Sequence, residues 1–200
     1  MAYQPRSDHL VLETAAVLSA LQARDGDTFS HCDRTRALCV DAGKALGLSS
    51  DELVILGLAA ELHDVGKIGV PDRILLKSGR LDDEEARTMR THCRCGHNIL
   101  SSVPTALIEP VAAIVLSHHE AVDGSGYPEG LKAEEIPPLA RIVSIVDSYD
   151  AIAAVRPYHA ARSHAQTMQI LYDGQGRKYD PYVLAIFAKV VEFSPYRVPD

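Results

Sequence analysis

Apolar residues recur at helical spacing along most of this chain, and no strand-like alternation of apolar and polar residues persists over five residues. Leu53, Leu56 and Ala60 stand three and four positions apart, as residues on one face of a helix do. Val111 and Ile114 begin a second series with the same spacing. The sequence therefore predicts an all-α protein, folded as a single compact helical bundle.

Two capping boxes indicate where helices begin. Ser49 with Glu52, and Asp82 with Glu85, pair an acceptor side chain with an acidic one three residues later, so that each satisfies a backbone N–H of the other. We predict helices that start near residues 27, 50, 82, 109 and 139, and shorter ones over 163–173 and 181–193.

The helical spacing continues from Ala86 to Leu100, which predicts an uninterrupted helix there. At the start of the chain, residues 1–26 are predicted to form an N-terminal helix, a stub that would connect to another domain. Residues 27–200 are predicted to form the globular domain.

The charge balance argues against one class of partner. Lys and Arg number 20 against 27 Asp and Glu, which gives a formal net charge of −7, whereas binding to long nucleic acids depends on neutralising many phosphates. No apolar run approaches the ~20 residues that cross a bilayer, and the first residues lack the layout of a secretory signal. We therefore expect a cytoplasmic protein, with neither long nucleic acids nor a membrane as partners of this chain.

The four cysteines are expected to be free thiols, because the start of the chain lacks a secretion signal. Cys32 and Cys39 share one helical face and are interpreted as small core residues. Cys93 and Cys95 are separated by one residue, unlike the pairs of common zinc knuckles. A redox or metal role for this pair is the alternative interpretation.

Residues of the kind that bind metals stand where the helical patterns predict core. His63-Asp64 ends one apolar series, His118-His119 ends another, and Asp147 follows Val146. A buried carboxylate needs a cation or several donors, and the alternative for Asp64 is a hydrogen bond to backbone amides that follow it. Aspartate and histidine together suit borderline divalent ions rather than calcium, and a carboxylate can bridge two ions. We therefore predict a dinuclear site that activates water and neutralises a phosphate oxygen.

The loop over residues 120–137 is rich in glycine and proline and is long for a connection within a bundle. It directly follows His118-His119, which favours a functional role. Gly126, Tyr127 and Pro128 are interpreted mainly as residues that shape the loop. Stacking of Tyr127 on a nucleotide base is the alternative.

Two motifs resemble those of a known family. Residues 63–67, His-Asp-Val-Gly-Lys, and residues 118–128, which contain His-His-Glu and Asp-Gly-Ser-Gly-Tyr-Pro, are similar to the HD-GYP family of cyclic di-GMP phosphodiesterases. That family is a branch of the HD superfamily of metal-dependent phosphohydrolases. The likeness extends from about Asp27 to Phe187. It implies an HD-type helical fold and hydrolysis of cyclic di-GMP to pGpG, with a second cut that would give GMP.

The resemblance also implies roles for individual residues. It assigns one metal to His31, His63 and Asp147, a second to His92, His118 and His119, and the bridging position to Asp64. Asp64 and Lys67 would be the catalytic residues, and substrate contacts would come from Lys67, Tyr127, Arg156 and His159. Asp27 matches the position where some members place a carboxylate for a third metal. Two divalent transition-metal ions are implied, iron or manganese first and zinc or nickel as alternatives, and diguanylate cyclase domains are implied as partners of the Gly-Tyr-Pro loop.

Three positions depart from the family pattern. Ala121 and His159 stand where family members often carry a cationic residue, and Cys93 stands where a proline is common. A hydrogen bond to a charged group contributes about 1.5–3 kcal/mol. The absence of the usual cationic residue at the first two positions therefore lowers the expected affinity for a dinucleotide. The alternatives left open are hydrolysis of another cyclic dinucleotide or of a nucleotide monophosphate, and a catalytically silent module that binds metal or nucleotide.

Overall fold

The computed structural model describes residues 28–153 and 162–200, together with Ser19. Within these ranges the regular elements are helical, and the β-type pairing consists of isolated bridges. The predicted all-α class is confirmed. The predicted boundary at residue 26 lies outside the described residues, so the division into 1–26 and 27–200 stays a prediction.

The described helices follow one another in a simple order. They are α1 (Thr28–Ala45), α2 (Ser50–Leu62), α3 (Asp72–Leu75), α4 (Asp83–Arg90), α5 (His92–Ser101), α6 (Ile108–Ser117), α7 (Pro138–Ala153), α8 (His164–Asp173) and α9 (Pro181–Val191). Short 3-10 helices cover Val65–Gly69 and Ala133–Glu135. None of the helices in the described ranges has the length and apolar character that spanning a bilayer requires.

Both predicted capping boxes are present. The Ser49 backbone N–H donates to Glu52 at 2.8 Å, and the Asp82 backbone N–H donates to Glu85 at 2.9 Å. In return, the Glu52 and Glu85 backbone N–H groups donate to the side chains of Ser49 and Asp82. These caps set the beginnings of α2 and α4 as the sequence predicts.

The prediction of one helix from Ala86 to Leu100 is wrong, because α4 and α5 are separated at Thr91. The Thr91 hydroxyl donates to the carbonyl of Thr88 at 2.7 Å. His92 Nδ1 donates to the carbonyl of Met89 at 2.8 Å. Side-chain donors thus bind the last carbonyls of α4, as Ser, Thr and other polar side chains often do where a helix ends or bends. The interruption places His92 at the beginning of α5.

The core lies between α1 and the helices that pack on it. α1 contacts α2, α7 and α9, while α2 also packs on α6, and α6 packs on α5. Buried side chains from all of these helices fill the interior: Leu38, Leu56, Leu100, Val111, Val115, Val143, Val146, Leu184 and Phe187. The 3-10 segment Val65–Gly69 packs closely on α5. This contact brings the end of α2 next to the beginning of α5.

Candidate metal centre

Five helices contribute the side chains of the predicted metal site. His31 comes from α1, His92 from the beginning of α5 and Asp147 from α7. His63 and Asp64 follow the last residue of α2, and His118 and His119 follow α6. The structure therefore brings together every predicted ligand that lies within the described residues.

Three of the imidazole rings are held in the same way. The Nδ1 atoms of His63, His92 and His118 donate to the carbonyl three residues earlier, at 2.8, 2.8 and 2.7 Å. This hydrogen bond fixes the orientation of each ring and leaves Nε2 directed away from the helix. The arrangement is the one expected of histidines that bind metal through Nε2.

The first cluster consists of His31, His63 and Asp147, whose ligand atoms lie within 4.8 Å of one another. The two Nε2 atoms of His31 and His63 are 3.2 Å apart. Asp147 Oδ1 lies 3.3 Å from His31 Nε2 and 3.6 Å from His63 Nε2. Two nitrogens and one carboxylate oxygen thus converge on one point.

The second cluster consists of His92, His118 and His119, together with Cys93, and its ligand atoms also lie within 4.8 Å of one another. Nε2 of His92 is 3.3 Å from Nε2 of His118. Because each Nδ1 already donates to a carbonyl, the two Nε2 lone pairs of the neutral rings face each other without a proton between them. Two nitrogens bound at ~2.0–2.1 Å to one tetrahedral ion are about 3.3 Å apart. The donor set therefore fits a transition-metal ion.

Asp64 spans the two clusters. Its Oδ2 lies 3.3 Å from His63 Nε2, and its Oδ1 lies 3.6 Å from His92 Nε2. One oxygen of the same carboxylate thus faces each cluster, as the predicted bridging role requires. The alternative, in which the Asp64 side chain caps the following helix, is not observed, because that side chain makes no capping hydrogen bond.

Both carboxylates of the site are held in the ionised form. Burial raises the pKa of Asp64, but Lys67 and His63 outweigh it and hold that pKa well below its usual range. Burial likewise opposes ionisation of Asp147, but hydrogen bonds from His31 and His63 keep its pKa well below the usual value. The site is therefore prepared to receive cations.

The imidazoles differ between the two clusters. Burial lowers the pKa of His92 and that of His118, and it lowers the pKa of His119 to about 4. These three rings are therefore neutral at pH 7. For His63, burial lowers the pKa, but the adjacent Asp64 carboxylate outweighs it and raises that pKa well above its usual value. An ion entering the first cluster must accordingly displace a proton.

Lys67 lies at the edge of the site. Its Nζ is 2.5 Å from Asp64 Oδ2, and its side chain is mostly buried. The predicted role of Lys67 in binding a substrate phosphate is consistent with this position beside the bridging carboxylate.

The loop over residues 120–137 folds around one buried carboxylate. Glu120 accepts hydrogen bonds from the backbone N–H groups of Glu129, Gly130 and Leu131, at 2.7, 3.2 and 3.0 Å. A side chain at Gly126 would collide with the backbone of residues 120–121. These contacts support the interpretation that the Gly-Tyr-Pro segment shapes the loop.

A cavity of about 740 Å³ opens beside the second cluster. Its lining includes Arg87, Arg90, Arg94 and Tyr127. The Arg90 guanidinium lies 5.0 Å from the centre of the Tyr127 ring, and that ring lies 5.0 Å from the ring of His119. Sequence reasoning missed these arginines, although their spacing of three and four places them on one side of the chain.

Three predicted site residues lie outside the described residues: Asp27, Arg156 and His159. The third-metal role of Asp27 and the substrate contacts of Arg156 and His159 stay predictions. The cysteines are free thiols, as predicted, and Cys32, Cys39 and Cys93 are buried.

Comparison with known proteins identifies relatives of most of this chain. The chain is 43% identical over 162 residues to "Cyclic di-GMP phosphodiesterase response regulator RpfG" of Xanthomonas campestris pv. campestris (strain 8004), covering 81% of this chain and 43% of that protein. It is 35% identical over 168 residues to "3'3'-cGAMP-specific phosphodiesterase 2" of Vibrio cholerae serotype O1 (strain ATCC 39315 / El Tor Inaba N16961), covering 84% and 32% of the two chains. The chain thus spans less than half the length of these curated relatives.

A solved structure and a family model agree with this relationship. The structure of "Bd1817, a HDG"Y"P protein from Bdellovibrio bacteriovorus" superposes with a TM-score of 0.67 at 20% identity, covering 92% of this chain and 60% of that one. This likeness supports the HD-type fold. The family model for the HD domain matches residues 11–183. The chain therefore belongs to the HD domain family, as the His63-Asp64 motif predicts.

Proposed function

We propose that this chain hydrolyses cyclic di-GMP at a dinuclear metal site, first to the linear dinucleotide pGpG and, with a second cut, to GMP. The observation that carries the proposal is the convergence of two ligand clusters on the carboxylate of Asp64. The similarity to a protein named as a cyclic di-GMP phosphodiesterase supports the choice of substrate.

The ligands are proposed to divide between two divalent transition-metal ions. His31, His63 and Asp147 would hold one ion, His92, His118 and His119 would hold the other, and Asp64 would contribute an oxygen to each. Two such ions would lower the pKa of a bound water and neutralise the charge of a phosphate oxygen. Iron or manganese is the preferred assignment, and zinc or nickel also suits nitrogen and carboxylate ligands.

The chain's own cations complete the phosphate site in this proposal. Lys67 lies beside Asp64 and would donate to a non-bridging oxygen of the phosphate that occupies the site. A cation there favours the additional negative charge that develops on the phosphate oxygens during hydrolysis. Lys67 is thus proposed to contribute more to the chemical step than to binding.

The cavity next to Tyr127 is proposed to receive the part of the dinucleotide that is not being cut. Its arginines supply positive charge for the second phosphate. In this proposal a base stacks on the Tyr127 ring in place of the Arg90 guanidinium, which lies over that ring in the structure. Substrate contacts from Arg156 and His159 remain part of the proposal on sequence grounds alone.

A second candidate substrate is 3'3'-cGAMP. The similarity to a phosphodiesterase named as specific for that dinucleotide favours it. The two substrates differ in one base, so the discrimination would come from contacts to base edges rather than from the metal ligands. Side-by-side measurement of kcat/KM for both dinucleotides decides between them.

The exposed part of the 120–137 loop is proposed to contact diguanylate cyclase domains. Asp123, Ser125, Pro128 and Glu129 are exposed in this loop, while Glu120 holds it against the domain. Co-purification of such a domain with this chain, compared with a variant in which Ser125 and Pro128 are replaced by glutamate, tests the contact. Equal recovery of the cyclase with both proteins would contradict it.

Asp64→Ala provides the test of the proposed activity. The full chain is loaded anaerobically with iron or manganese, its metal content is measured, and conversion of cyclic di-GMP to pGpG is followed by chromatography. We expect wild-type protein to bind two ions and to form pGpG, and Asp64→Ala to lose both properties. Asp51→Ala, at an exposed position near the beginning of α2, serves as the matched control.

Wild-type turnover in Asp64→Ala at matched metal content would refute the mechanism. Binding of cyclic di-GMP by metal-loaded wild-type protein without any pGpG after hours would instead identify a silent binding module.

A further inference from the structure

We propose that Cys93 is a further protein ligand of the second cluster, binding as a thiolate beside His92, His118, His119 and the bridging Asp64. This cluster would then hold an ion of the zinc class through three nitrogens, one sulfur and an oxygen of Asp64. The inference rests on the proposed function for the presence of a second ion. It goes further in assigning the ligand set and therefore the kind of ion.

The positions of the donor atoms support this ligand set. Cys93 Sγ lies 3.5 Å from His92 Nε2, and both atoms belong to the group of four whose ligand atoms lie within 4.8 Å of one another. A sulfur at ~2.3 Å and a nitrogen at ~2.0–2.1 Å that bind one ion at a near-tetrahedral angle are about 3.5 Å apart. The spacing of His92 from His118, 3.3 Å between Nε2 atoms, fits the same ion.

A second observation is the unsatisfied nitrogen of His118. This ring is completely buried, its Nδ1 donates to the carbonyl of Val115, and its Nε2 faces the corresponding atom of His92. Two acceptors in contact are unfavourable unless a cation lies between them. The side chain of Cys93 is completely buried, and its sulfur belongs to the same group of ligand atoms as this pair.

The other cysteines provide an internal contrast. Cys95, two residues later on α5, is only partly buried and packs against Gly69. Cys39 is buried in the apolar core of α1. Among the described residues, Cys93 is the cysteine that stands within a group able to hold an ion.

The ligand sets make the two ions non-equivalent. A thiolate with three imidazoles prefers zinc to manganese, whereas the nitrogen and carboxylate ligands of His31, His63 and Asp147 accept harder ions. Binding converts the Cys93 thiol to a thiolate and releases its proton to solvent, so no oxidant or reductant is involved. The competing arrangement is a neutral thiol that donates to His92 Nε2, and spectroscopy separates the two.

The test uses the full chain loaded with two equivalents of cobalt(II), a spectroscopic substitute for zinc. We expect the wild type and Cys95→Ser to show a thiolate-to-cobalt charge-transfer band in the near ultraviolet. Cys93→Ser should lose that band and keep the visible cobalt bands of the first site. The affinity of Cys93→Ser for one of its two zinc ions should fall at least about tenfold. That factor is the lower end of the losses of metal affinity that follow replacement of residues around a bound metal.

X-ray absorption of the wild-type protein with zinc provides a measurement that does not depend on the folding of a variant. We expect a sulfur scatterer at ~2.3 Å from part of the zinc. Two bound ions without a sulfur ligand, or a charge-transfer band that survives in Cys93→Ser, would overturn this inference while leaving the proposed function intact. Failure of the wild type to bind two ions would overturn both.

Discussion

The carboxylate of Asp150 accepts a hydrogen bond from His31 Nδ1 at 2.7 Å, on the side of the ring opposite the metal site. Arg34 holds the same carboxylate in a bidentate pair, with Nε at 2.6 Å and Nη2 at 2.8 Å. Of the histidines in the site, His31 is thus oriented by a carboxylate, whereas His63 and His118 use backbone carbonyls. Asp150 is a positioning residue that acts through His31.

Replacement of Asp150 by alanine is expected to lower the affinity of the first cluster for its ion about 10–100-fold. The reason is that the His31 imidazole loses the partner that orients it and raises its basicity. Asp150→Asn should restore part of this loss, since its amide oxygen still accepts from His31 Nδ1. Competition titration with a chelator measures the affinity. The exposed Asp173→Ala serves as control, and equal affinities of Asp150→Ala and wild type would contradict the positioning role.

Gly66 allows the 3-10 segment after Asp64 to lie directly on α5. A β-carbon at this position would collide with the carbonyl oxygen of His92 and the amide nitrogen of Gly96. We expect Gly66→Ala to lower the free energy of unfolding by about 3 kcal/mol, the upper end of overpacking costs, and to reduce metal loading because Asp64 and His92 move apart. Urea unfolding and metal analysis measure the two effects.

Gly57→Ala is the matched control for this substitution. Gly57 lies inside α2, and a β-carbon there would meet Val40 and Arg36 at 3.5 and 3.6 Å, which is ordinary contact. Alanine in a helix interior is more favourable than glycine by up to ~1 kcal/mol, so this variant should be neutral or more stable. Comparable losses of stability in both variants would show that close backbone packing at Gly66 is not the cause.

Part of the candidate site was predictable from periodicity, because His63, His118 and Asp147 stand where apolar helical patterns predict core, whereas His31 and His92 were assigned through the family resemblance. The pattern of Leu56 and Ala60 indicates which face of α2 points inward, and His63 continues that face into the interior. The pattern that ends at His118 does the same for α6. Periodicity therefore locates buried histidines, although metal binding by them stays a prediction.

Other features depend on contacts that periodicity does not record. The helical spacing continues across Thr91, so periodicity does not record the separation of α4 from α5, which is accompanied by hydrogen bonds of the Thr91 and His92 side chains. The stacking of Arg90 on Tyr127 joins the end of α4 to a loop residue more than 30 positions later in the chain. Such tertiary contacts form only after the bundle has brought these segments together.

Glu120 is expected to be the residue that holds the Gly-Tyr-Pro loop in place. Its carboxylate accepts from three successive backbone N–H groups, and Glu120→Gln would leave at least one of these buried donors facing an NH₂ group. We expect a loss of about 1–3 kcal/mol in unfolding free energy and faster amide hydrogen exchange at Gly130 and Leu131. Glu134→Gln, at an exposed position of the same loop, is the control, and unchanged exchange in Glu120→Gln would contradict the anchoring role.

Arg90 lines the proposed substrate cavity. Its guanidinium covers the Tyr127 ring, which in turn contacts His119, so Arg90→Ala removes a cation without touching a metal ligand. A charged hydrogen bond to phosphate contributes about 1.5–3 kcal/mol. Because the second phosphate does not react, its binding energy is the same in the ground and transition states, and its loss appears in KM.

We therefore expect Arg90→Ala to raise KM for cyclic di-GMP about 10–100-fold with kcat changed little, as measured by steady-state kinetics at matched metal content. Arg80→Ala, at an exposed position before α4, should leave both constants unchanged because Arg80 is not among the residues that line the cavity. A fall in kcat at constant KM would place Arg90 in the chemical step instead. An Arg90→Ala variant with wild-type KM would show that the second half of the dinucleotide binds elsewhere.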